Sequence, residues 1–369
     1  MPIHTIAVLG AGNGGCAAAA DLTMRGYHVR LYSRSSATLD PIRQRGGIEI
    51  IEGNNRSFAE PELVTSDLAE AVAGADLVMI TAPSVGHGFL AAGLARHLRE
   101  QQIVLLNPGH TGGALHVMSV LRQNGVRERI RSCETVTLTY ICRMPGPARV
   151  EIYRRTTHLR CAAFPAKFAP DILREVGGIY PNIVAAENVM ETGLSNINAI
   201  MHPAGMVGNA GWIERSAGDF YFYREGITPA IANIISAVDR ERLEIVRKLG
   251  LPPLTFNEIF CQAGLTSATA ASSGSVYRAI KESAPNQTIK SPATLNHRYL
   301  HEDVGYGLVP MEEIGSLLGV ECPVIGALIT LASEMNDVDY RREGLTLKKM
   351  GLEGIEPEGL PGVLHEGFD

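Results

Sequence analysis

A histidine stands in an otherwise apolar stretch near the middle of the chain. His202 lies in the segment ETGLSNINAIMHPAGMVGNAG, directly before Pro203 and four residues after Asn198. Helical spacing would place Asn198 and His202 on one face. An unperturbed imidazole has a pKa of about 6.5, so a histidine can give or take a proton near neutral pH. The alternative interpretation is a hydrogen-bonded core histidine, which is the commoner use of such a residue.

A second stretch concentrates charge between two apolar regions. The segment LNHRYLHEDVGYGLVP contains Arg298, Glu302 and Asp303, which could hold a polar substrate or form a solvated turn. It also contains His297 and His301, four residues apart, a spacing that two metal ligands can use on a helix. Because the HExxH pattern is missing, we predict loop packing for this histidine pair and no metal site.

The start of the chain carries a glycine motif, GAGNGG, between a predicted strand at Thr5–Leu9 and an Ala-rich predicted helix. Gly10 permits a tight turn, Gly12 lets the backbone approach a pyrophosphate, and Gly15 lets the helix pack on the strand. The N–H groups at the helix N-terminus favour an anion, and Asn13 is the first residue there. We predict a dinucleotide site at these four residues. The alternative is a glycine-rich turn without a ligand.

The end of the second predicted strand, HVRLYSRS, lacks the acidic residue that binds the ribose 2′-hydroxyl of NAD. Ser33 and Arg34 stand there instead, and a hydroxyl and a guanidinium can bind the additional phosphate of NADP. We therefore predict NADP as the cofactor, with NAD as the alternative. Arg34 could also be an ordinary solvated loop residue.

Two loops follow later predicted strands. TAPSVGHG, which contains Pro83, and NPGHTGG lie at carboxyl ends of strands, where an open α/β sheet holds its ligand. We expect them to flank the pyrophosphate and the nicotinamide, and we include Pro83 among the cofactor-binding residues. An ordinary turn is the alternative for each loop.

Composition limits the class of partner. The chain has 33 Lys and Arg against 39 Asp and Glu, a formal charge of −6 and no long basic run, so it lacks the electrostatic signature of a nucleic-acid-binding protein. Its six cysteines are scattered without a CxxC pair, which favours reduced thiols. The apolar stretch at the N-terminus is too short for a signal peptide, and no apolar run reaches membrane-spanning length. We expect a soluble, cytoplasmic protein that binds small molecules.

The elements that must position these residues change in type along the chain. With 369 residues, two domains are expected. Up to about Glu187, apolar strands alternate with helices, which predicts a parallel α/β sheet that finishes in an antiparallel extension. After that the apolar residues recur with helical period, and the segment TPAIANIISAVDRERLEIVRKLG has a Thr228 cap and a Gly250 stop. We predict an α/β dinucleotide-binding domain at 1–187, an all-α domain at 188–369 and a loose tail from about Glu353.

The two charged and apolar stretches resemble a known family. SNINAIMHP together with NHRYLHEDVGYGLVP is similar to the opine dehydrogenases, which include octopine and nopaline dehydrogenases, and to their bacterial branch typified by N-(1-D-carboxyethyl)-L-norvaline dehydrogenase. The likeness runs from VLGAGNGG through LLNPGHTGGAL, AAENV and FYFYREGITP to REGLTLKKMGL, and so covers nearly the whole chain. The resemblance implies a Rossmann domain followed by a helical domain.

The resemblance also implies a reaction. The amine of an amino acid and the ketone of a 2-oxo acid form an imine, which NAD(P)H reduces to a secondary amine dicarboxylate, and the reverse oxidation occurs as well. The family's general acid/base histidine matches His202, the aspartate that orients it matches Asp303, and the arginine that holds a substrate carboxylate matches Arg298. We add Asn198 as a substrate-binding candidate. The family needs no metal, but its nearest members have acidic residues where this chain has Ser33 and Arg34, which argues for NADP.

The hypothesis from the sequence is thus an NADP-dependent opine dehydrogenase, a homodimer through its helical domain, acting on a neutral or apolar amino acid with pyruvate or a similar oxo acid. One alternative is a reductase of a 2-oxo acid or hydroxy compound, of ketopantoate or glycerol-phosphate type, which would share the first domain. Another is a non-catalytic NADP(H) sensor. Turnover that needs both an oxo acid and an amino acid would distinguish the first hypothesis from the other two.

Overall fold

The computed structural model describes residues 2–126 and 130–368. The chain divides into two compact units, one made of 1–109, 113–192 and 361–369, the other of 110–112 and 193–360. The first unit therefore continues slightly past the predicted boundary at Glu187, and the last residues of the chain belong with it. Among the described residues no helix is long and apolar enough to cross a membrane.

The first unit contains the strands. They are β1 Thr5–Leu9, β2 His28–Tyr32, β3 Ile48–Glu52, β4 Asn55–Ala59, β5 Leu63–Thr65, β6 Leu77–Ile80, β7 Ile103–Leu106, β8 Arg131–Thr135, β9 Tyr140–Gly146, β10 Arg149–Arg155, β11 Leu159–Phe164 and β12 Ile183–Ala185. Eight of them form one sheet in the order β12-β11-β8-β7-β6-β1-β2-β5. Its strands are parallel except where β11 runs antiparallel to β8. Strands β1, β6 and β7 are apolar and almost wholly buried, as expected for a sheet covered on both faces.

The chain order of this sheet reverses at β1. Strand β2 lies on one side of β1 and β6 on the other, both parallel to it. The carboxyl ends of β1, β2 and β6 therefore meet at a topological switch point, where doubly wound sheets hold a ligand in the crevice. The predicted α/β class is confirmed, and the glycine motif follows β1 at this point.

A smaller sheet corrects one prediction. The sequence predicts strands at Thr135–Tyr140, Val150–Arg154 and His158–Phe164 in the antiparallel extension of the main sheet. Instead, β9 begins where the first of these ends, and β9 and β10 belong to a four-stranded sheet in the order β4-β3-β10-β9. Strands β11 and β12 extend the main sheet beyond β8. The chain leaves β8 after Thr135, where the side chain of Asn107 accepts the backbone N–H of Thr139 at 3.0 Å. Alternating strands alone could not show to which sheet each strand pairs.

The helices follow the predicted change in pattern. They are α1 Asn13–Met24, α2 Ser36–Arg45, α3 Leu68–Val72, α4 His87–Leu94, α5 Gly113–Gln123, α6 Ala169–Ile179, α7 Val189–Leu194, α8 Ile197–Gly208, α9 Ala210–Ser216, α10 Pro229–Lys248, α11 Phe256–Gln262, α12 Ala268–Ser272, α13 Val276–Lys281, α14 Arg298–Asp303, α15 Val309–Leu317, α16 Pro323–Asn336, α17 Tyr340–Glu343 and α18 Leu360–Glu366. Two π-helical turns, Phe222–Gly226 and Val304–Leu308, interrupt the second unit.

Helix α8 is central in the second unit. It packs against α10, α14 and α16, and most of its residues are buried. Helix α10 begins as predicted, since the Thr228 hydroxyl accepts the N–H of Ile231 and a proline occupies the first turn. Near its middle Arg242 is almost fully buried and donates to Asp239 at 2.7 Å and to the carbonyl of Leu194 at 3.1 Å. These contacts tie the end of α7, just before α8, to helix α10.

The end of the chain is ordered, so the prediction of a loose tail is wrong. Helix α18 buries Leu360 and Leu364, and Phe368 lies with its ring centroid 5.1 Å from that of Phe164. Lys167 also donates to Glu366 at 2.9 Å. Some of the glycines and glutamates that suggested disorder, such as Gly354 and Gly359, occupy turns before this helix, while its buried leucines are spaced one turn apart.

Candidate active site

The glycine turn after β1 has the geometry of a dinucleotide-binding loop. Gly10 has a φ of +124°, which L side chains rarely adopt. A Cβ on Gly15 would lie 1.6 Å from the carbonyl oxygen of Gly10, so only glycine fits there. Gly12 caps helix α1, and nothing lies within 4 Å of where its Cβ would be. The space beside Gly12 is thus open at the helix N-terminus, the place where a glycine turn of this kind receives a pyrophosphate.

The other predicted cofactor residues lie at the same carboxyl edge of the first unit. The side-chain oxygen of Asn13 accepts the N–H of Met144 at 2.9 Å, so this residue also ties the turn to β9. The Ser33 hydroxyl accepts the N–H of Ser35 at 3.3 Å. Pro83 is exposed and precedes a short 3₁₀ turn after β6.

Arg34 is exposed beside an aromatic ring. Its guanidinium carbon lies 5.1 Å from the centroid of the Phe89 ring, and the Phe89 side chain is 57% exposed. A cation–π contact of this kind at the surface contributes about 0.5–1 kcal/mol and limits where the guanidinium points. Arg34 thus lies just beyond the end of β2, next to Ser33, with the Phe89 ring as its described contact.

The structure brings His202 and Asp303 together inside the second unit. His202 lies in α8 and Asp303 ends α14, and both are nearly fully buried. Nδ1 of His202 lies 2.7 Å from Oδ2 of Asp303. A carboxylate bonded to one imidazole nitrogen fixes the tautomer and stabilises the protonated ring, which leaves Nε2 as the nitrogen that exchanges a proton.

Aromatic residues that the sequence argument did not assign surround this pair. Nε2 of His202 lies 2.8 Å from the hydroxyl oxygen of Tyr223. The ring of Tyr299 stacks on the imidazole with centroids 3.6 Å apart and planes at 13°, and Phe222 meets it edge-on at 6.2 Å. The FYFYREGITP and NHRYL stretches contain these residues, but nothing in their spacing indicated that they meet His202.

Beside the first pair lies a second histidine–carboxylate pair. Glu302 is almost fully buried, and its Oε1 lies 3.3 Å from Nε2 of His110. His110 comes from the NPGHTGG loop, has a left-handed backbone with φ 58°, and its Nδ1 lies 3.2 Å from the Asn196 amide nitrogen. The sequence predicts that this loop, with TAPSVGHG, flanks the pyrophosphate and the nicotinamide, but it indicates no particular role for His110. Buried carboxylates need such partners because an unpaired buried charge is costly.

The guanidinium of Arg298 already has a partner within the protein. Its guanidinium pairs with Glu302 at 2.6 Å, while its side chain remains 54% exposed. Burial opposes the charged form of Arg298, but the carboxylates of Glu302 and Asp303 outweigh it and raise the pKa of the guanidinium. With five N–H donors in its fork, Arg298 can bind Glu302 and still offer donors to a second carboxylate.

The remaining residues of the two stretches have structural partners. Asn198 is half-buried one turn before His202, and its backbone N–H donates to the Asn196 side chain at 3.2 Å. Burial and the nearby His202 lower the pKa of His297, whose Nδ1 accepts the N–H of Tyr299. His301 lies between Asn296 and Tyr340 at 2.9 and 2.8 Å. Both histidines thus serve loop and helix packing.

A buried glutamate lies in the first unit at the end of β8. Glu134 is fully buried, accepts the N–H of Ala114 at 2.9 Å and lies 2.6 Å from the Thr192 hydroxyl. Burial raises the pKa of Glu134 from 4.5 to about 8, although both hydrogen bonds act in the opposite direction. The folded protein therefore keeps a proton on Glu134 at neutral pH, where an unfolded chain has lost it.

This proton makes stability depend on pH. Between about pH 4.5 and pH 8 the folded state binds one proton more than the unfolded state, so the free energy of unfolding should fall by about 1.4 kcal/mol per pH unit as pH rises. In Glu134→Gln the side chain at this position cannot ionise. The fall in the free energy of unfolding should therefore be less steep by about 1.4 kcal/mol per pH unit, the contribution of one proton. Urea unfolding followed from pH 5 to pH 8 measures it, with Glu214→Gln on the surface as the control. An unchanged slope in Glu134→Gln would contradict the assignment.

Comparisons with known proteins agree with this architecture. The α-helical domain of NAD/NADP octopine/nopaline dehydrogenases matches residues 185–336, and the ketopantoate reductase family matches residues 6–128. An opine dehydrogenase of Arthrobacter sp. (strain 1C) is 38% identical over 363 residues, which is 98% of this chain and 99% of that protein.

Solved structures give the same fold over the whole chain. A structure of octopine dehydrogenase in complex with NADH and agmatine superimposes with a TM-score of 0.80 at 17% identity, over 99% of both chains. A structure of yersinopine dehydrogenase with NADP+ bound has a TM-score of 0.77 at 14% identity, over 99% of this chain and 98% of that one. At such low identity these matches establish the fold alone.

Proposed function

The chain belongs to the opine dehydrogenase family, and from that premise we propose that it is an NADP(H)-dependent opine dehydrogenase. It joins the amine of a neutral or apolar amino acid to the ketone of pyruvate or a similar 2-oxo acid, reduces the resulting imine, and catalyses the reverse oxidation. The observation that carries the proposal is the buried His202–Asp303 pair, with 2.7 Å between Nδ1 and Oδ2.

In this mechanism His202 is the general acid and base. The amino acid's ammonium group must lose a proton before its nitrogen attacks the ketone, and the hydroxyl of the adduct must gain one to leave as water. A neutral imidazole can accept the first proton, and the imidazolium can supply the second. Asp303 holds the ring in one tautomer and stabilises its charged form, which lowers the cost of both transfers.

Arg298 and Asn198 are the proposed substrate contacts. Both substrates carry a carboxylate, and the exposed part of the Arg298 fork can bind one of them through charge-assisted hydrogen bonds. Asn198, one turn before His202, can orient a polar group of the substrate beside the imidazole. These contacts would hold the reacting atoms in position relative to His202. Such positioning accounts for a large part of the rate enhancement in many enzymes.

The residues of the glycine turn suit NADP(H). Gly10, Gly12 and Gly15 leave the N-terminus of α1 open to a pyrophosphate, and Asn13 begins that helix. Ser33 and Arg34 replace the acid that would repel a 2′-phosphate, and Pro83 borders the same edge. The nicotinamide supplies the hydride. That yersinopine dehydrogenase has been solved with NADP+ bound is consistent with this choice within the fold.

The roles of the two domains and the oligomeric state are further parts of this proposal. We infer that the first unit is the dinucleotide-binding domain predicted at 1–187, and that the second is the helical substrate and catalytic domain predicted at 188–369. We further propose that the enzyme is a cytoplasmic homodimer that associates through the helical domain. The six cysteines are all free thiols, as expected in a reducing compartment. Sedimentation equilibrium of the purified protein tests the dimer, since a monomer at micromolar concentration would refute it.

The decisive assay is NADPH oxidation with separate substrates. We expect turnover when pyruvate and a neutral amino acid are both present, and no turnover with pyruvate alone. Mass spectrometry should then detect the secondary amine dicarboxylate. Turnover with the oxo acid alone would indicate a ketopantoate-type reductase, whose family matches only residues 6–128. NADPH binding without turnover across a panel of amino acids would indicate a sensor.

A further inference from the structure

Both nitrogens of the His202 ring are engaged. Nδ1 is bonded to Asp303, and in the tautomer that donates Nδ1–H to the carboxylate, Nε2 accepts the O–H of Tyr223 at 2.8 Å. Tyr299 stacks on the ring face at 3.6 Å and Phe222 meets its edge. A substrate atom therefore finds no nitrogen of this imidazole open to it in the described structure.

We propose that Tyr223 carries the proton between His202 and the substrate. The inference rests on the proposed function and extends it by one residue: the group that contacts the reacting nitrogen or oxygen is the Tyr223 hydroxyl, and His202 acts through it. A hydroxyl can donate one proton and accept another at the same oxygen, which is the property a relay requires.

The surroundings of Tyr223 favour a fixed relay over a side chain that swings away. Tyr223 is 4% exposed, and its ring packs edge-on against Phe222 with centroids 5.1 Å apart and planes at 86°. Its hydroxyl also lies 3.4 Å from that of Tyr299. Tyr223 belongs to the π-helical turn Phe222–Gly226, and such turns occur frequently at functional sites because they redirect side chains locally.

The proton steps balance through this oxygen. When the ammonium group of the amino acid is deprotonated, its N–H proton passes to the Tyr223 oxygen while the Tyr223 O–H proton passes to Nε2, which leaves neutral tyrosine and an imidazolium paired with Asp303. When the adduct loses water, the Tyr223 O–H protonates the departing hydroxyl and Nε2–H restores the phenol. Between these steps the alkoxide of the adduct takes a proton from the Tyr223 O–H, and the adduct nitrogen returns one through the same oxygen, so Tyr223 and His202 are both neutral again once water has left.

The test is Tyr223→Phe, which removes only the hydroxyl. We expect the single-turnover rate of NADPH oxidation to fall by about 10²-fold, the lower range for loss of a proton-transfer group, with KM for both substrates unchanged. The wild-type rate in mixtures of H₂O and D₂O should require two protons in flight, whereas the variant should require one. Tyr221→Phe removes a hydroxyl two residues away and should behave as the wild type.

Two further measurements keep the outcomes distinct. Fluorotyrosine at position 223 makes the phenol more acidic, so a relay predicts a changed rate, whereas a packing role predicts none. NADPH affinity of Tyr223→Phe should equal that of the wild type, because the hydroxyl is not among the residues proposed to bind the cofactor. A wild-type rate and two-proton dependence in Tyr223→Phe would overturn the relay while leaving His202 in place; an active His202→Asn enzyme would instead overturn the proposed function.

Discussion

His202→Asn is expected to lower kcat for reductive condensation by about 10²- to 10⁴-fold, the range associated with a positioned general acid or base. Asparagine is of similar shape and can keep a hydrogen bond to Asp303, but it cannot take up a proton near neutral pH. The variant thus removes the proton acceptor and preserves most of the packing around it. The rate of NADPH oxidation at saturating pyruvate and amino acid measures the effect.

Structural damage can be separated from chemical loss. NADPH affinity should be unchanged in His202→Asn, because the substitution alters none of the residues proposed to bind the pyrophosphate and the 2′-phosphate. His28→Asn, at an exposed histidine of β2, is the matched control and should keep full activity. A His202→Asn enzyme with more than about a tenth of wild-type kcat would contradict the assignment of His202.

Arg34→Ala is expected to weaken NADPH binding by about 10- to 100-fold, since a hydrogen bond to a charged group contributes about 1.5–3 kcal/mol. The Kd for NADH should change much less, because NADH lacks the 2′-phosphate that Arg34 would bind. Fluorescence titration with the two reduced cofactors measures both constants. We expect Arg34→Ala to lose its preference for NADPH over NADH and to keep its affinity for NADH.

A surface arginine elsewhere on the first unit provides the control for Arg34→Ala. Arg174 is 70% exposed and pairs only with Asp171 among the contacts described for it, so Arg174→Ala should leave both cofactor affinities unchanged. Equal weakening of NADPH and NADH in Arg34→Ala would mean that the guanidinium and its Phe89 contact support the nucleotide site as a whole. In that case NAD, the alternative cofactor, would be favoured.

The two neighbouring carboxylates of α14 explain why the site contains two histidines and an arginine as hydrogen-bond partners. Asp303 is paired with His202, and Glu302 is paired with both His110 and Arg298. Two adjacent buried carboxylates would otherwise repel each other and remain unsolvated. The Glu302 pair also limits the movement of Arg298, so a substrate carboxylate would meet a guanidinium that is already oriented.

The sequence alone was sufficient where the physical rule is local. Gly10 and Gly15 follow from the φ value and the close backbone contact of one turn, and the ends of α10 follow from a threonine cap, a proline and a glycine stop. The alternation of apolar strands and helices likewise predicted the parallel sheet and the helical half. Each of these rules acts within a few residues, so the residue types at neighbouring positions are enough to predict the local structure.

Only the tertiary structure decided which distant side chains meet. His202 and Asp303 are 101 positions apart in the sequence. Tyr223 contacts Nε2 of His202 from a π-helical turn that the spacing of apolar residues does not predict. The resemblance to a family suggested the first contact, but residue spacing could not supply it, and His110 and Glu302 were not assigned at all. Such contacts depend on how several helices pack around α8, and a side chain's type does not specify its partner across that packing.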